Sequence, residues 1–117
     1  MDTLEIGKQA ELRACSILEA NGLKLLARNY HSPFGEIDLI MRDQEEVVFV
    51  EVRERSPSDF ASALESVTKA KQRKIIKTAM HYLQKLQWFD KVHCRFDVVA
   101  FDDDKTEWVK DAFRVEY

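Results

Sequence analysis

The sequence is short of cysteine, histidine and long apolar runs, and each shortage removes a class of function. Cys15 and Cys94 are its two cysteines, both in apolar surroundings and without a Cys-x-x-Cys partner. A disulfide framework or zinc site is therefore set behind two reduced core thiols. The three histidines, His31, His81 and His93, stand apart without metal-ligand spacing and read as surface or structural residues. Apolar stretches such as Val47–Val50 fall far short of the roughly 20 residues that cross a bilayer. The opening Met1-Asp2-Thr3-Leu4-Glu5 has neither the basic nor the apolar region of a secretory signal. The expected address is cytoplasmic, with no membrane partner. Repeats, low-complexity tracts and linkers are also missing.

What is present is enough for one core. With 117 residues, 45% of them apolar, the chain reads as a single domain over residues 1–117. A net charge of −3 argues against a protein that coats nucleic acid by bulk electrostatics. The distribution matters more than the sum, because Lys69, Lys71, Arg73, Lys74 and Lys77 follow one another with no acid among them. A local basic face is expected there.

Periodicity divides the chain into elements. Residues Asp2 to Asn21 read as a helix, opened by a capping box Asp2-x-x-Glu5 and closed by Asn21-Gly22, with Leu4, Ala14, Cys15 and Leu18 on its apolar face. Leu23 to Tyr30 reads as a strand ending in the turn His31-Ser32-Pro33-Phe34-Gly35. Glu36 to Arg42 and Val47 to Glu54 read as a hairpin around the polar loop Asp43-Gln44-Glu45-Glu46. The second of these strands is apolar on both faces, as a central strand should be. Ser56-Pro57-Ser58 breaks it, and Asp59–Val67 reads as loop with at most one helical turn. Thr68 caps a helix running to about Gln87, Arg95 to Phe101 is a fourth strand, and an acidic turn from Asp102 leads to a last extended segment, Trp108 to Val115. The order helix, strand, strand, strand, helix, strand implies an α/β fold, a mixed sheet flanked by helices, in which the second helix allows a parallel pairing.

The informative residues are acids in apolar company. Glu11 shares its helical face with Leu4, Gly7, Ala14, Cys15 and Leu18 and should point toward the sheet. Asp38 interrupts Ile37-Asp38-Leu39-Ile40, and Glu51 interrupts Phe49-Val50-Glu51-Val52. If Arg42 pairs with Val47, paired positions sum to 89, so that Asp38 faces Glu51 and Glu36 faces Arg53, all on one side. Like charges opposed on a sheet repel. A shared proton would relieve them by raising one pKa; a hard divalent ion such as Mg²⁺ would do so with both ionised. The alternative is a buried ion-pair cluster in which Arg53 and Arg55 neutralise the acids without metal. Spacing alone leaves the two readings level.

Gly7-x-x-Ala-Glu11, Gly35-Glu-Ile-Asp38-Leu-Ile, Phe49-Val-Glu51-Val-Arg53 and Arg95-Phe-Asp97-Val-Val, in this order, resemble the YraN-like family of small uncharacterised bacterial proteins over most of the chain. That family is similar to the Holliday-junction resolvases and restriction endonucleases of the PD-(D/E)xK group. The resemblance implies a restriction-endonuclease-like core and gives Asp38 and Glu51 as metal ligands, with the Val52 carbonyl as a third. It makes Glu11 the acid of the first helix and puts Arg53 where lysine is usual. The cofactor implied is Mg²⁺, with Mn²⁺ as substitute. The reaction implied is hydrolysis of DNA phosphodiesters, branched or structured DNA included. Arginine stays protonated, so Arg53 would stabilise charge but not move a proton.

Lys69, Lys71, Gln72, Arg73 and Lys74 are the expected phosphate contacts, with Lys71 and Gln72 nearest the ion, against the commoner alternative of a solvated helix face. Asp97 is expected to serve structure, through an ion pair with Arg95 or a helix-end role, and Trp88, Phe89, Trp108 and Phe113 to edge the core. The competing function is a nucleic-acid- or partner-binding module that kept the fold and lost turnover. A homodimer is what resolvases of symmetric junctions require, and no two-fold interface is legible.

Overall fold

Among the described residues five strands and two helices follow one another as the periodicity predicts, with one strand more than the expected order counted. The computed structural model describes residues 3–54, 65–88, 90–102 and 105–115, and side chains from residue 6 onward. The capping box at Asp2 and Glu5, Leu4 as a core side chain, Arg55, Ser56-Pro57-Ser58, residues 59–64, Phe89, Asp103 and Asp104 lie outside these described residues or side chains.

Helix α1 (Thr3–Ala20) stops where Gly22 takes a φ of +93°. The Leu23 N–H bonds the Leu18 carbonyl at 3.1 Å and the Gly22 N–H that of Glu19 at 3.0 Å, the pair of bonds that closes a helix through a left-handed residue. Strands β1 (Lys24–Ser32), β2 (Gly35–Asp43) and β3 (Glu46–Glu54) form a meander. Helix α2 (Lys69–Lys85) then crosses over to β4 (His93–Phe101), which lies parallel to β3, and β5 (Thr106–Phe113) returns antiparallel. The sheet order is β1-β2-β3-β4-β5. The β2–β3 loop is shorter than expected, because Asp43 pairs with Glu46 and leaves only Gln44-Glu45 to turn; the register of Arg42 on Val47 is as read from the sequence.

Among the described residues each sheet face carries one helix. Ala10, Ala14, Cys15 and Leu18 of α1 bury themselves on Leu39, Met41, Val48, Val50, Val99 and Phe101. Ile75, Ala79, Tyr82 and Leu83 of α2 cover Ile40, Val47, Phe49, Phe96, Val98 and Ala100. Strand β3 is apolar on both faces because it lies mid-sheet between the two helices. Thr68 caps α2 by accepting the Lys71 N–H at 3.2 Å. Both cysteines are free thiols, Cys15 buried and Cys94 half-buried. Among the described residues no helix is long and apolar enough to cross a membrane.

Asp97 is a fully buried acid with every partner supplied. Arg95 Nε bonds it at 3.0 Å, Trp108 Nε1 donates at 2.9 Å, and the Asp111 N–H donates at 3.0 Å where β5 bulges around it. Arg95 also reaches Asp43 and Glu46, tying the β2–β3 turn to the same knot. Trp108 thus serves the core, and Phe113 stacks on Phe96. Asp97→Ala breaks the buried ion pair with Arg95 and strips the Trp108 indole N–H and the Asp111 N–H of their acceptor, so it should cost about 3–5 kcal/mol in urea unfolding. A loss below about 1 kcal/mol, the range of exposed pairs, would contradict this account of the knot.

Candidate metal centre

The β2–β3 ladder ends at Leu39 paired with Val50, one residue short of the acids. There the Asp38 side chain takes over from the backbone, its Oδ2 accepting the Val52 N–H at 2.8 Å. Asp38 therefore stands just beyond the last ladder pair, where its side chain, not its backbone, bonds β3. Glu51, two residues after Phe49 on the α2 face, is only 5% exposed, and Lys71 Nζ lies 2.8 Å from its Oε1. Arg53 approaches the same oxygen less closely, at 3.7 Å.

Helix α1 brings Glu11 to this end of the sheet from the opposite face. Asn29, its amide turned so that the nitrogen faces both carboxylates, donates to Glu11 Oε1 at 3.0 Å and to Glu36 Oε1 at 3.1 Å. Asn29 of β1 lies between the pairs Arg28–Leu39 and Tyr30–Ile37, level with Asp38 of β2, and has a φ of +48°. Asparagine tolerates this left-handed conformation better than most residues. Its role was not visible in the sequence, where it is one polar residue in a strand.

Four carboxylates, Glu11, Glu36, Asp38 and Glu51, thus influence one another, and the electrostatics reflect it. Burial, then the neighbouring Glu51 charge, push the Asp38 carboxyl up to about 8, against the Val52 hydrogen bond and Lys71, which favour the ionised form. Burial also raises Glu11, with Glu36 and Glu51 adding to the effect and the Asn29 bond opposing it. Glu36, Asp38 and Glu51 line an open cleft of about 450 Å³ together with Thr68, Lys71 and Lys74.

This donor set fits a hard divalent cation. It offers carboxylate oxygens, and Asp38 is destabilised as an anion by its surroundings, a penalty that a cation relieves. Among the described residues no three Asp, Glu, His or Cys side chains gather tightly enough to hold an ion alone. Two carboxylates with a main-chain oxygen and water is the matching set, and Mg²⁺ commonly keeps several waters.

Helix geometry divides the basic run. Lys71 and Lys74, three residues apart, face the acids. Lys69, Arg73 and Lys77, at four-residue steps, line a separate groove of about 270 Å³ with Arg114. Gln72 is buried and donates to the Val67 carbonyl at 3.0 Å, anchoring the approach to α2. The structure therefore brings together Glu11, Asp38, Glu51, Val52, Arg53, Lys71 and Lys74, and turns Lys69, Gln72 and Arg73 away.

Residues 10–101 match the model of a family described as uncharacterised protein family UPF0102. A UPF0102 protein of Coxiella burnetii is 49% identical over 116 residues, 98% of this chain and 97% of the relative. One from Nitrosococcus oceani is 50% identical over 114 residues, 94% and 92% of the two chains. A third, from Francisella tularensis, is 43% identical over 116 residues, 98% and 99%.

The raised Asp38 carboxyl sets a pH dependence for the metal-free protein. An unfolded aspartate ionises near 3.8 and the folded one near 8, so between these values folding retains a proton and stability falls as pH rises. In denaturant titrations, wild type should therefore lose stability relative to Asp38→Asn from about pH 4 to 8, with a slope of at most one proton, and then level off. A difference that grows in favour of wild type over this range would contradict the assignment.

Proposed function

This chain belongs to the UPF0102 family, and we propose that it is a Mg²⁺-dependent nuclease of the PD-(D/E)xK type, hydrolysing phosphodiesters in DNA. The observation that carries the reading is the convergence of Asp38, Glu51 and Lys71 on an open cleft at the point where the β2–β3 ladder stops. A sealed ion-pair cluster would have no such opening.

The chain's own groups divide the work. Asp38 and Glu51 present oxygens to the cation, and the Val52 N–H fixes the angle of the Asp38 carboxylate. A bound Mg²⁺ supplies Lewis-acid stabilisation of phosphate charge and activation of water, and Mn²⁺ suits the same donors. Lys71, on a flexible stem beside Glu51, can turn its ammonium to a phosphate oxygen and stabilise charge as it develops. Arg53 adds a permanent cation that cannot exchange protons. Glu11, steadied by Asn29, borders the site and can orient water. Lys74 lies along the same cleft and meets an approaching phosphate.

One observation favours a second reading, a nucleic-acid-binding module without turnover. Lys71 already neutralises Glu51 at 2.8 Å with no metal required. The two readings separate on calorimetric titration of Mg²⁺ followed by a DNA cleavage assay. The double variant Asp38→Asn, Glu51→Gln should lose both metal binding and cleavage. Lys71→Ala, by freeing Glu51 from a competing cation, should bind Mg²⁺ at least as tightly as wild type while cleaving about 10²–10³-fold more slowly. DNA binding by wild type without metal binding or cleavage would overturn the nuclease reading in favour of the module.

A further inference from the structure

The turn between β1 and β2 carries an aromatic ring that the core does not use. Phe34 is 48% exposed, and Gly35 beside it lines the cleft of the acids. Single exposed apolar residues are common and need no function. This one differs in being held in place from two sides.

The backbone of the turn is tied to α2. The Phe34 N–H donates to Ser32 Oγ at 3.0 Å, Ser32 Oγ lies 3.1 Å from Thr78 Oγ1, and Thr78 donates to the Lys74 carbonyl at 2.9 Å. The ring is steadied as well. It meets His81 edge to face, centroids 6.5 Å apart at 70°, and the Tyr30 hydroxyl fixes His81 through Nδ1 at 2.6 Å. Ordering the ring on binding therefore costs little of the entropy that a mobile side chain would lose.

The residues that tie down this turn share one stripe of α2 with the cleft cations. Lys71, Lys74, Thr78 and His81 recur at the three- and four-residue spacing of one helix face. At 1.5 Å per residue the stripe runs roughly 15 Å, from Lys71 beside the Glu51 carboxylate to His81 beside the Phe34 ring. A nucleic-acid strand at 3.4 Å per nucleotide covers that in about four steps.

We infer that Phe34, backed by His81, is a stacking platform for an unpaired nucleobase, and that the strand runs from it over Lys74 to the acids. The preferred substrate class is then DNA with unstacked bases near the scissile bond, such as forks, flaps and junctions, because an intact duplex has no free base face to offer. The inference rests on the nuclease reading and deepens it by naming the structural feature selected.

The test is binding of a forked DNA carrying 2-aminopurine at the fork, in EDTA so that nothing is cut, with a blunt duplex of equal length as control. Wild type should bind the fork and change the probe's fluorescence by stacking. Phe34→Ala should weaken fork binding about tenfold or more and abolish the fluorescence change, while leaving duplex affinity, Mg²⁺ titration and melting temperature close to wild type. Phe34→Trp should restore fork binding, whereas Phe34→Leu, apolar without a π face, should behave as alanine does. Unchanged fork binding in Phe34→Ala overturns the platform and leaves the nuclease reading standing. Failure of wild type to bind either DNA or Mg²⁺ overturns both.

Discussion

The candidate site depends on a single exchange of hydrogen-bond partners. Where β2 and β3 cease to pair, beyond Leu39 and Val50, the Val52 N–H would lie unpaired beside the core, and the Asp38 carboxylate takes the place of the missing carbonyl. A buried amide without a partner is costly, so this bond holds Asp38 in the gap. With Asp38 there, Glu51 close by and Glu11 arriving from the other face, negative charge accumulates where burial makes it most expensive. A proton, Lys71 or a metal ion must offset it.

A second buried aspartate shows what a purely structural solution looks like. Asp97 also accepts a main-chain N–H at an irregularity in the ladder, from Asp111. It differs in its company, since Arg95 and the Trp108 indole satisfy it, and the space around it is closed. Asp38 faces other acids and a cleft. The same device therefore stabilises the fold on one side of the sheet and stores electrostatic imbalance on the other, which is the pattern expected of a site kept for binding.

Much of this was legible in the sequence because it follows from short-range rules. Alternation and turn chemistry located the hairpin and its register, and the interruption of apolar runs by Asp38 and Glu51 marked the acids. Three things lay beyond those rules. Whether the ladder continues to Asp38 depends on the course of the backbone past Leu39 and Val50, which pairing arithmetic cannot see. The fate of the basic run depends on where α2 rests on the sheet: the 100° step per residue sends Lys71 and Lys74 to the acids and Lys69 and Arg73 away, and buries Gln72. Asn29 left no sequence signal, since its function comes from a left-handed backbone in the middle of a strand.

The reading stands or falls on whether an ion replaces Lys71 beside Glu51. The most direct measurement is a crystal structure grown with Mn²⁺ and recorded for anomalous scattering. The account predicts a peak between Asp38 and Glu51, near the Val52 main chain, with the Lys71 ammonium moved off the Glu51 carboxylate. No peak there, with Lys71 still paired to Glu51 in the presence of millimolar metal, would make the acids a structural ion-pair cluster and contradict it.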